Sequence, residues 1–343
     1  MPPLPHPAGR PPWRRLVPPP VRSAAARLVA WRRAGSVARH LAALARQPGP
    51  IVVGPWLGEI GFELLYWVPF VRWFAEVYGV APERLVAVTR GGAAIWYAPV
   101  AARALDVLDL LEPDAYRAAN AARARRLGEQ KQVRPTPEDD LVLARVRQRL
   151  GTPVAVLHPA VMYRLFAPYW WGHESMEWVR RRARFTPLER PPRPEGLPAS
   201  FTAVKFYFSE SFPRTAANQA FVDLTVARLS EEGPVVALSS GPSLDDHAAC
   251  EPRAGVIETI GDRLTPQTNL LVQSSVVAHA RRFVGTYGGF AYLAPSYGVP
   301  AEGYYSNPGG FSRRHLDLAR LVLAGRDGGE LLTIHRVPEE AAP

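Results

Sequence analysis

The chain has 343 residues, 47% hydrophobic and 21% charged, which suits two globular domains and excludes a disordered or fibrous protein. One cysteine, Cys250, excludes an intramolecular disulfide framework and a thiolate-built zinc site, and fits a reducing compartment. The net charge of +10 suggests nucleic acid, but residues 1–50 hold nine of the 41 basic residues and none of the 31 acidic ones. The body is then nearly neutral, 32 against 31, and no nucleic-acid partner is expected.

Residues 1–20 are too Pro-rich to fold alone. Residues 21–47 have helix-forming composition, with Leu28, Trp31, Leu41 and Leu44 sharing an apolar side among arginines. That pattern suits a helix on an anionic membrane surface. It suits equally a solvated helix packed on the body or a partly disordered tail, and it also resembles an Arg-rich transit segment. No apolar run reaches the ~18 residues of a spanning helix. The expected place is cytoplasmic, with peripheral attachment to the inner face of the cell membrane left open.

From residue 51 strand-like and helix-like segments alternate. "IVVG" reads as a strand, 61–78 as a helix or two, and "RLVAVT" (84–89) as a strand before the turn "RGGAA". Helical stretches follow at about 99–126 and 137–150, then a strand at 153–158. Residues 185–198 carry five prolines in fourteen positions, the composition of a semi-rigid connector. The alternation then restarts: a strand at 201–208, and a helix at 215–232 capped by Thr215. "PVVALSS" and "GVIETI" read as strands, and 265–280 as a helix with Thr265 at its N-cap and Pro266 at its first position. "RFVGT" is a strand before a glycine turn and short helix, and "AEGYYS" (301–306) is a last strand. The expectation is an α/β fold of two Rossmann-like domains facing a central cleft. Its parts are a basic segment 1–50, an acceptor-side domain 51–184, a linker 185–199 and a donor-side domain 200–343.

Ligands of open α/β sheets bind beyond the carboxyl ends of the strands. At the first such turn Gly54, Gly58 and Gly61 allow close backbone approach, and Glu59 and Glu63 follow. A carboxylate there can act as general base on a bound hydroxyl. If both acids are helical they share one side. The plainer roles are helix capping for Glu59 and a buried ion pair with Arg72 or Arg90 for Glu63. The spacing is neither a dinucleotide fingerprint nor a Walker loop.

Lys205, one of two lysines in the chain, lies in the aromatic strand "AVKFYF" with Ser209 and Ser211 in the next turn. A compact cation with nearby hydroxyls suits a phosphate, although a lysine lying over aromatic rings reads the same way. After "RFVG", Thr286, Tyr287, Gly288 and Gly289 open a short helix whose free N–H groups suit phosphate. Tyr163, Arg164 and Trp170 follow the last strand of the first half and, with Arg90, form the candidate acceptor side; a covering loop packed on the core is the plainer reading. Asp245, Asp246 and His247 form a polar loop suited to sugar hydroxyls or to ordinary capping. No metal-type spacing is present, so no metal is expected.

These motifs resemble those of GT-B-type glycosyltransferases, nearest in layout to the ADP-heptose:lipopolysaccharide heptosyltransferases. "LGEIG" puts Glu59 where that family has its proposed base. Gly288-Gly289, Leu293-Ala294 and Gly298-Val299-Pro300 match steps of its donor motif, with Tyr287 and Tyr292 replacing the family's Asp and His. Lys205 matches its phosphate-contacting lysine. The resemblance spans roughly residues 51–325. It implies transfer of a sugar from a nucleotide-sugar, as co-substrate and with no cofactor or metal, to a hydroxyl of a glycan or lipid-linked acceptor. A sugar-nucleotide epimerase and a non-catalytic carbohydrate-binding or assembly protein are the alternatives.

Overall fold

The computed structural model describes residues 19–128, 131–238, 250, 258–260, 263–325 and 328–337. The first half comprises α1 (Pro19–Arg46), β1 (Ile51–Val53), α2 (Ile60–Phe62), α3 (Val68–Tyr78), β2 (Leu85–Thr89), β3 (Arg103–Asp106), α4 (Pro113–Leu127), α5 (Pro137–Leu150), β4 (Ala155–Leu157), α6 (Pro159–Trp170) and α7 (Glu177–Arg180). The second comprises β5 (Thr202–Lys205), α8 (Ala216–Glu232), β6 (Val235–Ala237), β7 (Glu258–Thr259), α9 (Asn269–Ala278), β8 (Arg282–Thr286), α10 (Gly289–Ser296), β9 (Ala301–Tyr305), α11 (Arg313–Val322) and β10 (Leu332–Arg336).

Both sheets are parallel throughout. The first runs β3-β2-β1-β4 and the second β10-β9-β8-β5-β6-β7. Counted from β5, the second order is the doubly wound 3-2-1-4-5-6 of a Rossmann sheet read from its other edge. Its direction of winding switches between β5 and β8; in the first sheet the switch lies between β1 and β4. The expectation of two Rossmann-like α/β halves therefore holds on strand pairing.

Period-two alternation explains how each short strand serves two layers. Ile51 and Val53 face a core with α1, α3 and α6, while Val52 joins Val142, Val146 and Tyr116 of α4 and α5 on the other side. In the second half Val204 and Val284 face Phe221, Val222 and Val226 of α8, while Ala203 and Phe283 face α9 and α10.

Helix α1 belongs to the first half. Ala30, Ala34, Val37, Leu41 and Leu44 are buried on it, whereas Leu28 and Trp31 of the expected apolar side are exposed. The inward stripe combines small residues that let helices approach with Leu41 and Leu44, two of the four large side chains expected there. Each buried Leu or Val contributes roughly 1.5–3 kcal/mol, so this segment is part of the core and not a removable tail.

The facing carboxyl ends meet directly. Gly61 and Ile60 lie against Gly289, so that a side-chain carbon on Gly289 would come within 2.8 Å of Ile60 Cβ and 2.9 Å of Gly61 N. Beside them the Gly91 carbonyl, after β2, accepts from Leu270 N at 2.7 Å and Leu271 N at 3.1 Å of α9. At its centre the expected cleft is thus a packed junction.

Candidate active site at the junction of the two halves

The loop after β1 is buried from Gly54 to Gly58, so its backbone polar groups need partners. Side chains supply most of them. Gln132 accepts from Leu57 N at 2.8 Å and donates to the Pro55 carbonyl at 2.9 Å. Arg123 donates to the Leu57 carbonyl at 3.0 Å, Arg90 to the Gly58 carbonyl at 2.6 Å, and Trp56 N to the Val88 carbonyl at 2.8 Å. Gln132 is itself held by Asp139 at 2.9 Å. His158, Thr136 and Gln132 hold the Asp139 carboxyl below its ordinary value, although burial opposes them.

Glu59 ends this loop. Its backbone is extended, at φ −68 and ψ 142, and its side chain makes no capping hydrogen bond to α2. The carboxylate is half-buried with no partner among the described residues. Capping is therefore not its role, and it does not share a helical side with Glu63. Its charge acts across the junction: burial pushes the Tyr287 hydroxyl up to about 12, and Glu59 adds to the same direction.

Glu63 has the opposite surroundings. Fully buried, it accepts from Thr89 Oγ1 and Tyr97 OH at 2.7 Å each and from Arg90 Nη1 at 3.0 Å. Burial raises its carboxyl above the ordinary value while Arg90, Tyr97 and Thr89 pull it down. Arg72 instead donates to the carbonyls of Thr186 at 2.8 Å and Trp96 at 3.2 Å.

On the other side, Lys205 is buried at the end of β5, donates to Gln273 Oε1 at 2.6 Å and lies 4.4 Å from the Phe290 ring centre. Ser209 and Ser211 hydrogen-bond each other at 3.0 Å. Thr286 Oγ1 accepts from Tyr207 N and donates to the Tyr207 carbonyl, tying β8 to the strand-end of β5 at the switch point. Tyr292 OH donates to Tyr287 OH at 2.9 Å. The φ of Gly288 is +152 and a side-chain carbon there would run into the Tyr207 hydroxyl. Gly289 starts α10 against Ile60.

The structure brings Glu59, Tyr287, Tyr292, Gly288 and Gly289 together. Tyr163 and Trp170 go instead to an aromatic cluster with Trp56 and Phe62, while Arg164 points to solvent. Asp245, Asp246 and His247 lie outside the described residues. Sequence reasoning missed Gln132 and Arg123, whose partners lie 75 and 66 residues away. It also missed Tyr66, whose hydroxyl is 2.6 Å from His315 Nδ1 across the junction. Tyr66 stands in a π-helical turn, Glu63–Trp67, a form that often marks functional sites. Burial pushes its hydroxyl well above the usual range, and burial with the Lys131 charge pushes His315 down to about 3. Both groups are therefore neutral, and the imidazole tautomer sets which of them donates. Among the described residues no three His, Cys, Asp or Glu side chains come together.

No family model and no curated protein matches the chain. Among solved structures it is similar to a glycosyl transferase family 9 protein of Veillonella parvula, at 13% identity and TM-score 0.42, covering 84% of this chain and 86% of that one. It is similar to the E. coli ADP-heptose lipopolysaccharide heptosyltransferase II, at 12% identity and TM-score 0.41, covering 85% and 91%. It is also similar to the iron-containing dodecameric glycosyltransferase TibC of enterotoxigenic E. coli, at 14% identity and TM-score 0.40, covering 76% of this chain. The chain spans 59% of TibC's length.

Proposed function

We propose that the protein is a glycosyltransferase that moves a sugar from a nucleotide-sugar to a hydroxyl of a glycan or lipid-linked acceptor. The observation that carries this reading is the Glu59 carboxylate, half-buried and without a hydrogen-bond partner, on a loop whose backbone is fixed by Gln132, Arg123 and Arg90. A loop fixed this way orients the base before the acceptor arrives. Glu59 takes the acceptor's hydroxyl proton as that oxygen bonds to the anomeric carbon. The bond from that carbon to the diphosphate breaks, and the nucleoside diphosphate leaves with the electron pair. Lys205 and the N–H groups at the start of α10 are the donor-side groups suited to the diphosphate. Their chemistry is cationic and hydrogen-bond donating, which can stabilise the leaving diphosphate without a metal. Donor entry at α10 requires Ile60 and Gly61 to part from Gly289.

The test begins with thermal shift against UDP, GDP, ADP, CMP and dTDP, because a ligand bound only by the native state raises its stability. With the matching nucleotide-sugar, Glu59→Gln should keep the shift and lose about 10²–10⁴-fold in turnover. Equal turnover in the variant removes Glu59 from the reaction. One observation favours a non-catalytic carbohydrate-binding reading: Lys205 and the start of α10 are engaged by Gln273 and Ile60. Saturable glycan binding with no nucleotide release from any donor would select it.

A further inference from the structure

Helix α1 contains six arginines and no acid. While its inner side packs on the first half, Leu28, Val29 and Trp31 stand 53%, 46% and 57% exposed on its outer sides. Arg27, Arg32, Arg33 and Arg39 are exposed around them, and none has an ion pair or hydrogen bond among the described residues. The patch continues onto a second segment. Trp31 meets Trp178 edge-on at 5.4 Å, and Arg182 covers the Trp178 ring at 3.8 Å. Exposed Arg180 and Arg181 follow, both paired with Glu177 at 3.1 Å, and Glu174 lies near Arg182. Seven guanidiniums thus stand with two carboxylates on the two segments that carry the exposed apolar side chains.

We infer that this face binds an anionic lipid surface, with Leu28 and Trp31, which share one side of α1, entering the headgroup layer and the arginines meeting lipid phosphates. Neighbouring exposed apolar side chains need an apolar phase, which a polyanion in water does not offer. A second copy of the chain would bring the same acid-free helix, and the like charges oppose that pairing. A lipid surface satisfies both parts, with tryptophan at the interface and cations at the phosphates. The inference stands independently of sugar transfer, because it uses none of the residues at the junction.

The experiment is co-sedimentation of the full chain with phosphatidylcholine vesicles, with and without about 30 mol % phosphatidylglycerol. Point variants are used because Ala30, Ala34, Val37, Leu41 and Leu44 of this helix belong to the core. Binding should favour the anionic vesicles by more than about 25-fold and weaken as salt rises. Each arginine near such a surface contributes about five-fold, so Arg32→Glu with Arg39→Glu should cost at least about 25-fold. Leu28→Glu should also release the protein, and its exposure leaves the melting temperature unchanged. Equal binding to neutral vesicles, or unchanged binding by the double variant, overturns the inference. So does a dimer in the wild-type protein that Leu28→Glu disperses, since the face then belongs to a second copy.

Discussion

Arg90 bridges Glu63 and the loop that carries Glu59: one guanidinium nitrogen donates to Glu63 Oε2 at 3.0 Å and the other to the Gly58 carbonyl at 2.6 Å. The ion pair is a strut. It gives Glu63 a positioning role, because its carboxylate bonds go to Thr89, Tyr97 and Arg90.

Glu63→Gln keeps the shape but leaves the Arg90 charge uncompensated in a buried site. Breaking such a pair costs about 3–5 kcal/mol. Urea unfolding should report a loss of that size, and a change below about 1 kcal/mol would show that the pair does not hold the loop.

Glu59→Gln should leave stability within about 0.5 kcal/mol, since the carboxylate contributes no hydrogen bond to the fold. The contrast between the two glutamates is the measurement. Similar destabilisation by both would mean that Glu59 has a structural partner after all.

His315 predicts an acid sensitivity. Its folded pKa is about 3, against about 6.5 when unfolded, with burial as the main cause and Lys131 second. Between these values the unfolded chain holds the extra proton, so acid favours unfolding. Stability should fall by up to ~1.4 kcal/mol per pH unit below about 6.5. The ring keeps part of its surface exposed, so that slope is a ceiling. Denaturant melts between about pH 7 and 5 should show it, and His315→Gln should flatten it. An unchanged slope in the variant assigns the effect to other groups.

Gly289→Ala should be poorly tolerated, because its methyl would meet Ile60 Cβ at 2.8 Å and Gly61 N at 2.9 Å. Overpacking of this kind costs about 1–3 kcal/mol. Gly61→Ala has 3.5 Å to its nearest neighbours and should be milder. Comparing melting temperatures of the two variants tests whether the halves are in contact in solution; equal effects would contradict the packed junction.

Much of the fold was legible where β-branched runs met glycine turns, as at β1, β2 and β8. β3 was read as helix because Arg103–Asp106 contains no β-branched residue and only its pairing with β2 makes it a strand. β10 and α11 were not anticipated. The Thr265–Pro266 signature predicted a helix start that the structure moves to Asn269. There Thr265 and Thr268 hydroxyls bond each other at 2.8 Å, and the Gly91 carbonyl takes the first N–H groups of α9. Inter-half packing overrode a local signal.

At the site, Glu59 was legible because it follows the glycine turn of the first strand, and Arg90 was one of two partners named for Glu63. Gln132 and Arg123 were not, because their hydrogen bonds go to backbone groups distant in the chain and leave no local pattern. The engagement of Lys205 by Gln273 was equally unreadable.

The π-helical turn from Glu63 to Trp67 has a consequence for how this chain can change. Such a turn carries one residue more than α-helical winding, and removing that residue would rotate the preceding segment by about 100° about the helix axis. Gly61 would swing away from Gly289, and Glu59 would no longer face Tyr287. The mating of the two halves is therefore keyed to chain length as well as to residue type: substitutions here can be graded, but a single-codon deletion is all or nothing.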